Sequence, residues 1–262
     1  MVEQDKIEET YGTQFLWSQP IDYKGVMLYP IKCANIQLFY QSIYALLYDP
    51  LRYDSLISTL PRLYFLTDIL NHQDDVEYFT QNQFLYQLFI QLQVLLKLVL
   101  GEKQSYDFEN HNGKWFLKVF KEIDNDESKS KVVTEIKAKD FDKIREIILH
   151  QNSVDYDDTF IHEDIRQWIA EQESANKSPS ITIEDYMEAF MMQMGNCDIE
   201  IFKQTPLRRF NRIVEKILSR ENYNIQMTAS MSGLVTFKGK IDHWLSVNKK
   251  NSVYDKYFKE VK

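Results

Sequence analysis

Apolar residues recur at helical spacing along much of this chain, after a short segment near the start that alternates. Residues 21–31, "IDYKGVMLYPI", predict two short strands around a turn at Lys24-Gly25. A helical stripe follows, and Asp49-Pro50 is expected to end it. The stripe consists of Ile36, Phe39, Tyr40, Ile43 and Leu47.

The next helical segments are more apolar. Pro61 and the run from Leu63 to Leu70 predict one helix, and residues 80–100 predict the most hydrophobic helix of the chain. Gly101 stands where a glycine is expected to end this helix. The expected buried face of the helix at 80–100 consists of Leu85, Leu88, Leu92, Leu95, Leu96 and Val99.

The spacing then changes to that of strands. Residues 106–120 alternate around Asn112-Gly113, a dipeptide that supplies the two positive φ angles of a tight hairpin turn. After a charged linker at 124–131, a third strand is expected at 132–136. A helix follows, for which Asp140 is the expected N-cap. Its expected buried face consists of Phe141, Ile144, Ile147 and Ile148.

The C-terminal part returns to helical spacing after a linker at 175–180. Thr182 and Asp185 predict a capped helix that closes on Gly195. Thr205 is expected to cap a further helix, with Pro206 at its first position. Within residues 229–247 we expect a turn at 231–233, a short strand at 234–239 and a second turn at Gly239.

These elements predict an α+β protein that is predominantly α-helical. The expected division has three parts: residues 1–104 with the first hairpin and helices, a β-hairpin–strand–helix module at 105–152, and a C-terminal helical part at 153–262 with a short β-turn segment.

Composition and charge indicate which kinds of partner and which cellular location to expect for this protein. The formal net charge is −8, which repels a phosphate backbone, so we expect no nucleic-acid partner. The strongest local exception, the lysines at 249–262, is interrupted by acidic residues and fits a solvated helix end. Two distant cysteines, a polar N-terminus and the lack of a long uninterrupted apolar run predict a cytosolic protein without a membrane span.

No catalytic arrangement can be recognised in the sequence. The five histidines are His72, His111, His150, His162 and His243, and none has a second His or Cys at metal-binding spacing. Phosphate-binding loops, nucleophile elbows and kinase motifs are absent. We therefore expect no enzyme activity, no cofactor and no metal site.

Two segments are candidates for partner binding. The methionine-rich helix at 182–195, with Phe190 and Met191, is expected to fill core space, and a binding groove is the alternative. In the second segment, His243 and Trp244 either close one end of the core or, with Phe237, anchor another protein chain. Both alternatives stay open.

Three stretches together resemble a known family: "YKGVMLYPIKCANIQLFYQSIYALL" (23–47), "KDFDKIREIILHQN" (139–152) and "MTASMSGLVTFKGKIDHWLSV" (227–247). In this order they resemble tail assembly chaperones and baseplate or hub assembly proteins of large tailed phages of Gram-positive bacteria. The resemblance covers most of the chain, but its motifs are loose.

The resemblance implies a non-enzymatic role in tail morphogenesis, as a chaperone that binds tape-measure or baseplate-hub segments in the host cytoplasm. The alternative is a structural subunit of the tail or baseplate that is retained in the virion. Neither a nucleic acid nor a membrane is an expected partner, and homo-oligomerisation is left open. The expected partner-binding residues are Trp244, His243, Phe237, Met191 and Phe190.

Overall fold

The computed structural model describes residues 2–52, 59–125, 128–154, 156, 182–195, 197–233 and 241–245. Residues 1–154 and 200–209 form a first compact unit, and residues 155–199 and 210–262 form a second. The expected boundary at 152/153 lies close to the end of the long segment of the first unit, whereas the expected boundary at 104/105 lies inside that unit.

The fold is α+β and predominantly α-helical, as the sequence predicted. Within the described residues, short 3₁₀ segments lie at Cys33–Asn35, Pro50–Arg52 and Asp68–His72. The strands are β1 (Ile21–Tyr23), β2 (Val26–Leu28), β3 (Gln104–His111), β4 (Lys114–Asn125) and β5 (Ser128–Ile136). The helices are α1 (Val2–Trp17), α2 (Ile36–Ser42), α3 (Tyr44–Leu47), α4 (Arg62–Thr67), α5 (Val76–Gln81), α6 (Gln83–Leu100), α7 (Ala138–Gln151), α8 (Ile183–Met194), α9 (Ile199–Gln204) and α10 (Leu207–Met231).

Helix α6 is central to the core of the first unit. It packs against α2, α3 and α4 and against strands β2 and β3. All six side chains of its expected apolar face are buried, and Gly101 ends the helix at φ +68° as predicted. By length and composition α6 could also cross a membrane, but the core helix of a soluble protein passes the same test, and 44% of α6 is buried inside the fold.

A three-stranded antiparallel sheet follows α6 in the order β3-β4-β5. Asn112 and Gly113 form the β3–β4 turn with φ +53° and +77°, which confirms the predicted hairpin. On β4 the side chains of Trp115, Leu117 and Val119 alternate into the core.

The expected charged linker at 124–131 was wrong. Strand β4 continues to Asn125 and β5 begins at Ser128, so most of this segment is paired. In the register Asp124 lies opposite Lys129 and Asn125 opposite Ser128, so the strands continue almost to the turn.

Helix α7 covers the sheet and confirms its predicted buried face. The predicted cap was wrong, because Lys137 is the N-cap and makes no side-chain cap hydrogen bond. Asp140 lies within the first turn instead, where its carboxylate meets the Lys24 ammonium of the β1–β2 turn at 2.6 Å. A tertiary ion pair has replaced the local capping interaction that the sequence suggested.

Helix α1 was not expected from the sequence. Its apolar positions are sparse, and Ile7 and Phe15 are the buried ones among its described side chains. Phe15 stacks on the imidazole of His150 at a centroid distance of 6.0 Å, which ties α1 to α7. Tertiary contacts, rather than a continuous stripe, hold this helix.

The chain returns to the first unit at residues 200–209. Leu207 donates its N–H to the carbonyl of Ile31 at 2.7 Å, and Cys33 donates to the carbonyl of Thr205 at 2.9 Å. The predicted cap at Thr205 was wrong, because its hydroxyl donates back to Ile201 and so closes α9. Pro206 forms an isolated bridge with Lys32, one residue before α10 begins.

In the second unit, α8 has the predicted capping box. Thr182 Oγ1 accepts the N–H of Asp185 at 3.2 Å, and the Asp185 carboxylate accepts the N–H of Thr182 at 2.7 Å. Gly195 ends the helix in the left-handed region, as predicted. The predicted turn at 231–233 is present with Gly233 at φ +69°, and the strand expected at 234–239 lies outside the described residues.

Candidate protein-interaction surfaces

The structure places His243 and Trp244 in an aromatic cluster on the second unit. The His243 ring lies 5.4 Å from the ring of Tyr223 on α10 and 5.8 Å from the ring of Trp244. His243 Nδ1 also accepts the N–H of Leu245 at 3.2 Å, which fixes the imidazole on the backbone of its own turn. His243 is exposed and Trp244 is half-buried, so the cluster presents ring surface to solvent.

Phe190 and Met191 lie elsewhere. Phe190 is only 4% exposed, and its ring packs edge-on against Phe210 at 5.4 Å. Phe210 and Tyr223 are thirteen residues apart on α10, which corresponds to about 20 Å along a helix axis. The predicted residues therefore do not form one site, and Phe237 lies outside the described residues.

The methionines of α8 divide between core and surface. Met187 and Met191 are half-buried on the side of Phe190, whereas Met192 is 78% exposed and Met194 is also exposed. The expectation that this helix fills core space describes its Phe190 face, while Met192 adds a flexible apolar side chain to the surface.

A second aromatic surface lies on the first unit and was missed in the sequence. We call it the aromatic row: Tyr40, Tyr44, Tyr48 and Phe84. The Tyr44 and Tyr48 rings are 5.9 Å apart, and Tyr48 meets Phe84 edge-on at 4.9 Å. Tyr40, Tyr44 and Phe84 are exposed by 39%, 43% and 37%. The signal was available, since the tyrosines are four residues apart, but the helical stripe predicted at 36–47 included only Tyr40 of the three.

The aromatic row rests on the core through one ring. Tyr48 stacks on the buried ring of Phe65 at 6.1 Å with an interplanar angle of 12°. Tyr44, Tyr48 and Phe84 are thus connected rings that Tyr48 joins to the core, and Tyr40 adds a further exposed ring four residues before Tyr44. Tyrosine is suited to such a position because its ring is rigid and its hydroxyl tolerates water.

Charged side chains on the outer face of the β3-β4-β5 sheet neutralise one another. Lys118 Nζ lies 2.6 Å from Glu109 Oε2 and 3.5 Å from Glu135 Oε1. The hydrogen bond from Lys118 lowers the pKa of Glu109, and the same bond raises the pKa of Lys118. This group is a structural ion-pair network across three strands.

The two cysteines differ in exposure. Cys33 is buried and Cys197 is exposed. Burial raises the pKa of the Cys33 thiol to about 12, so the thiol stays protonated and unreactive at neutral pH. Among the described residues, no three His, Cys, Asp or Glu side chains form a group that could hold a metal ion.

No protein-family model, no curated protein and no solved structure matches this chain.

Proposed function

We propose that this protein is a non-enzymatic assembly factor that binds apolar helical segments of other protein chains. Within that role, we propose that it serves as a tail assembly chaperone of a large tailed phage, with tape-measure or baseplate-hub segments as its partners. It would then act in the host cytoplasm during particle assembly.

The aromatic row carries the proposal. Three of its rings are each more than a third exposed, although Tyr48 and Phe65 connect the same layer to the core. Apolar surface gains roughly 25 cal/mol for each Å² that a partner removes from water, and tyrosine is enriched among residues that dominate binding energy. An amphipathic helix that lays its apolar face on the row would bury these rings.

The net charge of −8 supports the same role. A carrier that covers an apolar segment must keep the complex dispersed, and an excess of one charge favours this by mutual repulsion. The phage context rests on the resemblance of residues 23–47, 139–152 and 227–247. The aromatic row begins in the first of these stretches, at Tyr40 and Tyr44.

Affinity capture from cells that assemble the particles tests the proposal. Tagged protein should recover tape-measure or baseplate-hub chains, identified by mass spectrometry. Tyr44→Ala/Phe84→Ala should reduce their recovery several-fold, because the variant removes two exposed rings. Val76→Ala is the matched control, since Val76 is 79% exposed and lies outside the row.

Two outcomes contradict parts of the proposal. If the captured material contains no tail or baseplate chain, the proposed phage role is wrong. If the chain is a stoichiometric component of purified virions, it is a structural subunit and not a chaperone, because a chaperone leaves before the particle matures.

A further inference from the structure

Helix α10 carries positive charge in a chain with an excess of acid. Its 25 residues include five basic and two acidic side chains, whereas the whole chain has 31 basic against 39 acidic residues. The basic residues are Arg208, Arg209, Arg212, Lys216 and Arg220, and the acidic ones are Glu215 and Glu221.

Three of the cations form a line on the second unit. Arg212, Lys216 and Arg220 are four residues apart, which places them on one face of the helix with a rise of about 6 Å between neighbours. We call this line the basic stripe. Glu215 lies about 100° around the helix from the centre of the stripe, and Glu221 is the ion-pair partner of Arg220 at its far end.

Arg212 and Lys216 differ from several other cations of the protein in their partners. Lys24, Lys118 and Lys203 each have a carboxylate oxygen at 2.6 Å. Neither Arg212 nor Lys216 makes an ion pair or hydrogen bond to any residue in the part of the chain that the structure describes. Arg212 is exposed and Lys216 is half-buried, so both are within reach of a partner.

Arg220 is held in place at the far end of the stripe. Its Nη2 donates to Gln193 Oε1 on α8 at 3.0 Å and lies 3.3 Å from Glu221 Oε1. These two contacts orient the Arg220 guanidinium but leave it at the surface, since the Arg220 side chain remains 37% exposed. A fixed guanidinium loses less conformational entropy when it binds a carboxylate.

The stripe leads into the aromatic cluster. Tyr223 lies three residues beyond Arg220 on the same face of α10 and contacts His243, which in turn contacts Trp244. Three cations along about 12 Å of helix are thus followed by a patch of exposed or half-buried rings. A ligand that matches this surface therefore carries its carboxylates first and an apolar side chain after them.

We propose that the basic stripe and the aromatic cluster together bind an acidic segment of a protein partner. This inference rests on the proposed function and specifies the chemistry of the segment that is recognised. Its carboxylates occupy one face at helical i, i+4 spacing, opposite Arg212, Lys216 and Arg220. An apolar side chain one turn further on packs against Tyr223 and His243.

The charge distribution favours an acidic protein segment over a nucleic acid. A nucleic acid continues its phosphates beyond the stripe and meets a chain with net charge −8, whereas a short acidic segment ends with the stripe. Three cations also neutralise few phosphates compared with the six to ten contacts that make phosphate binding strong.

Fluorescence anisotropy with the full-length protein tests the inference. The probe is a labelled helical peptide with three glutamates at every fourth position and a leucine three residues after the last. We expect this peptide to bind, and we expect its affinity to fall as salt is raised to about 0.5 M. The same peptide with lysines in place of the glutamates should not bind.

Variants locate the binding. Arg212→Gln/Lys216→Gln should weaken peptide binding about fivefold or more, because the peptide loses two ion pairs at the surface. Lys97→Gln/Lys103→Gln is the matched control, because both lysines are exposed in the first unit and the change in net charge is the same. Tyr223→Ala should weaken binding of the leucine-containing peptide more than binding of a peptide with serine at that position.

Three results would overturn the inference: no binding of the acidic peptide, equal binding by both double variants, or stripe-dependent binding of a thymidine oligonucleotide in preference to the peptide. These results are separable from failure of the proposed function. If the Arg212→Gln/Lys216→Gln variant still captures tail proteins, only the inference about the basic stripe is wrong. If the wild-type protein captures no tail protein, the proposed function is wrong.

Discussion

Gln104 pairs with the backbone of Met27 in both directions, as a neighbouring strand would. Its Oε1 accepts the N–H of Met27 at 2.9 Å, and its Nε2 donates to the carbonyl of Met27 at 2.6 Å. Nε2 also donates to the carbonyl of Leu100 at 2.8 Å. One buried side chain thereby joins strand β2, the end of α6 and the start of β3.

Gln104→Ala should therefore lower the free energy of unfolding by about 2–3 kcal/mol, because it leaves buried backbone groups without partners. Gln104→Glu should cost more, since a carboxylate cannot donate to the carbonyls of Met27 and Leu100. Urea denaturation measures both. Gln87→Ala, on the exposed side of α6, is the control and should change stability by less than about 0.5 kcal/mol. Equal effects of Gln104→Ala and Gln87→Ala would contradict the bridging role.

Two glycines should respond to alanine with opposite signs. Gly113 forms the β3–β4 turn at φ +77°, whereas Gly12 lies within helix α1. A Cβ at either position meets no atom within 4 Å, so backbone conformation alone decides the outcome. Gly113→Ala should lower the free energy of unfolding by about 1–2 kcal/mol, because alanine is strained in the left-handed conformation. Gly12→Ala should raise the free energy of unfolding by about 0.5–1 kcal/mol, because alanine has the higher helix propensity. Thermal unfolding of both variants checks the signs, and a shift in the same direction would refute this account.

The Lys24–Asp140 ion pair should stabilise the fold at neutral pH and lose this effect at acidic pH. The hydrogen bond from Lys24 lowers the pKa of Asp140 below its ordinary value of 3.8, and Tyr23 donates a further hydrogen bond at 3.3 Å. Because the pKa is lower in the folded state, the stabilisation is complete above the unfolded value and is lost as the pH falls below about 3.8.

The difference in stability between the wild type and Asp140→Asn should accordingly shrink as the pH falls from neutrality to about 2.5. Urea midpoints across this range measure it. Asp74→Asn, in an exposed turn, is the control carboxylate. A difference between the wild type and Asp140→Asn that stays constant with pH would show that Asp140 acts through something other than its charge.

Local pattern predicted the elements whose burial is regular. The apolar face of α6 and the Asn112-Gly113 hairpin agree with the sequence because one-sided burial imposes a period and a tight turn imposes positive φ. The capping box at Thr182 and Asp185 agrees for the same reason, since both hydrogen bonds are local.

The sequence failed where distant contacts override the local pattern. Asp140 was expected to cap a helix, but it pairs with Lys24, which is 116 residues away. Helix α1 has too few apolar positions to be recognised without the surface of α7 beneath it. In the candidate site, the contact of Tyr223 with His243 depends on how the chain after α10 returns to that helix. No periodicity within one segment encodes such a return.

The two roles expected for the methionine-rich helix can be separated by substitution at Phe190 and Met192. Phe190 is buried against Phe210, and Met192 is 78% exposed two residues along the same helix. Phe190→Ala should lower the free energy of unfolding by about 3–5 kcal/mol, because it opens a cavity beside Phe210. Met192→Ala should change it by less than about 0.5 kcal/mol. Chemical denaturation compares the two variants directly.

Partner capture then distinguishes a packing role of Phe190 from direct contact. If Phe190 acts through packing, loss of binding in Phe190→Ala should follow the loss of folded protein, and conditions that restore folding should restore binding with it. A folded and equally stable Phe190→Ala protein that no longer captures its partner would instead place Phe190 in the interface. Its 4% exposure argues against that outcome, since a ring covered by Phe210 reaches a partner only after α8 and α10 separate.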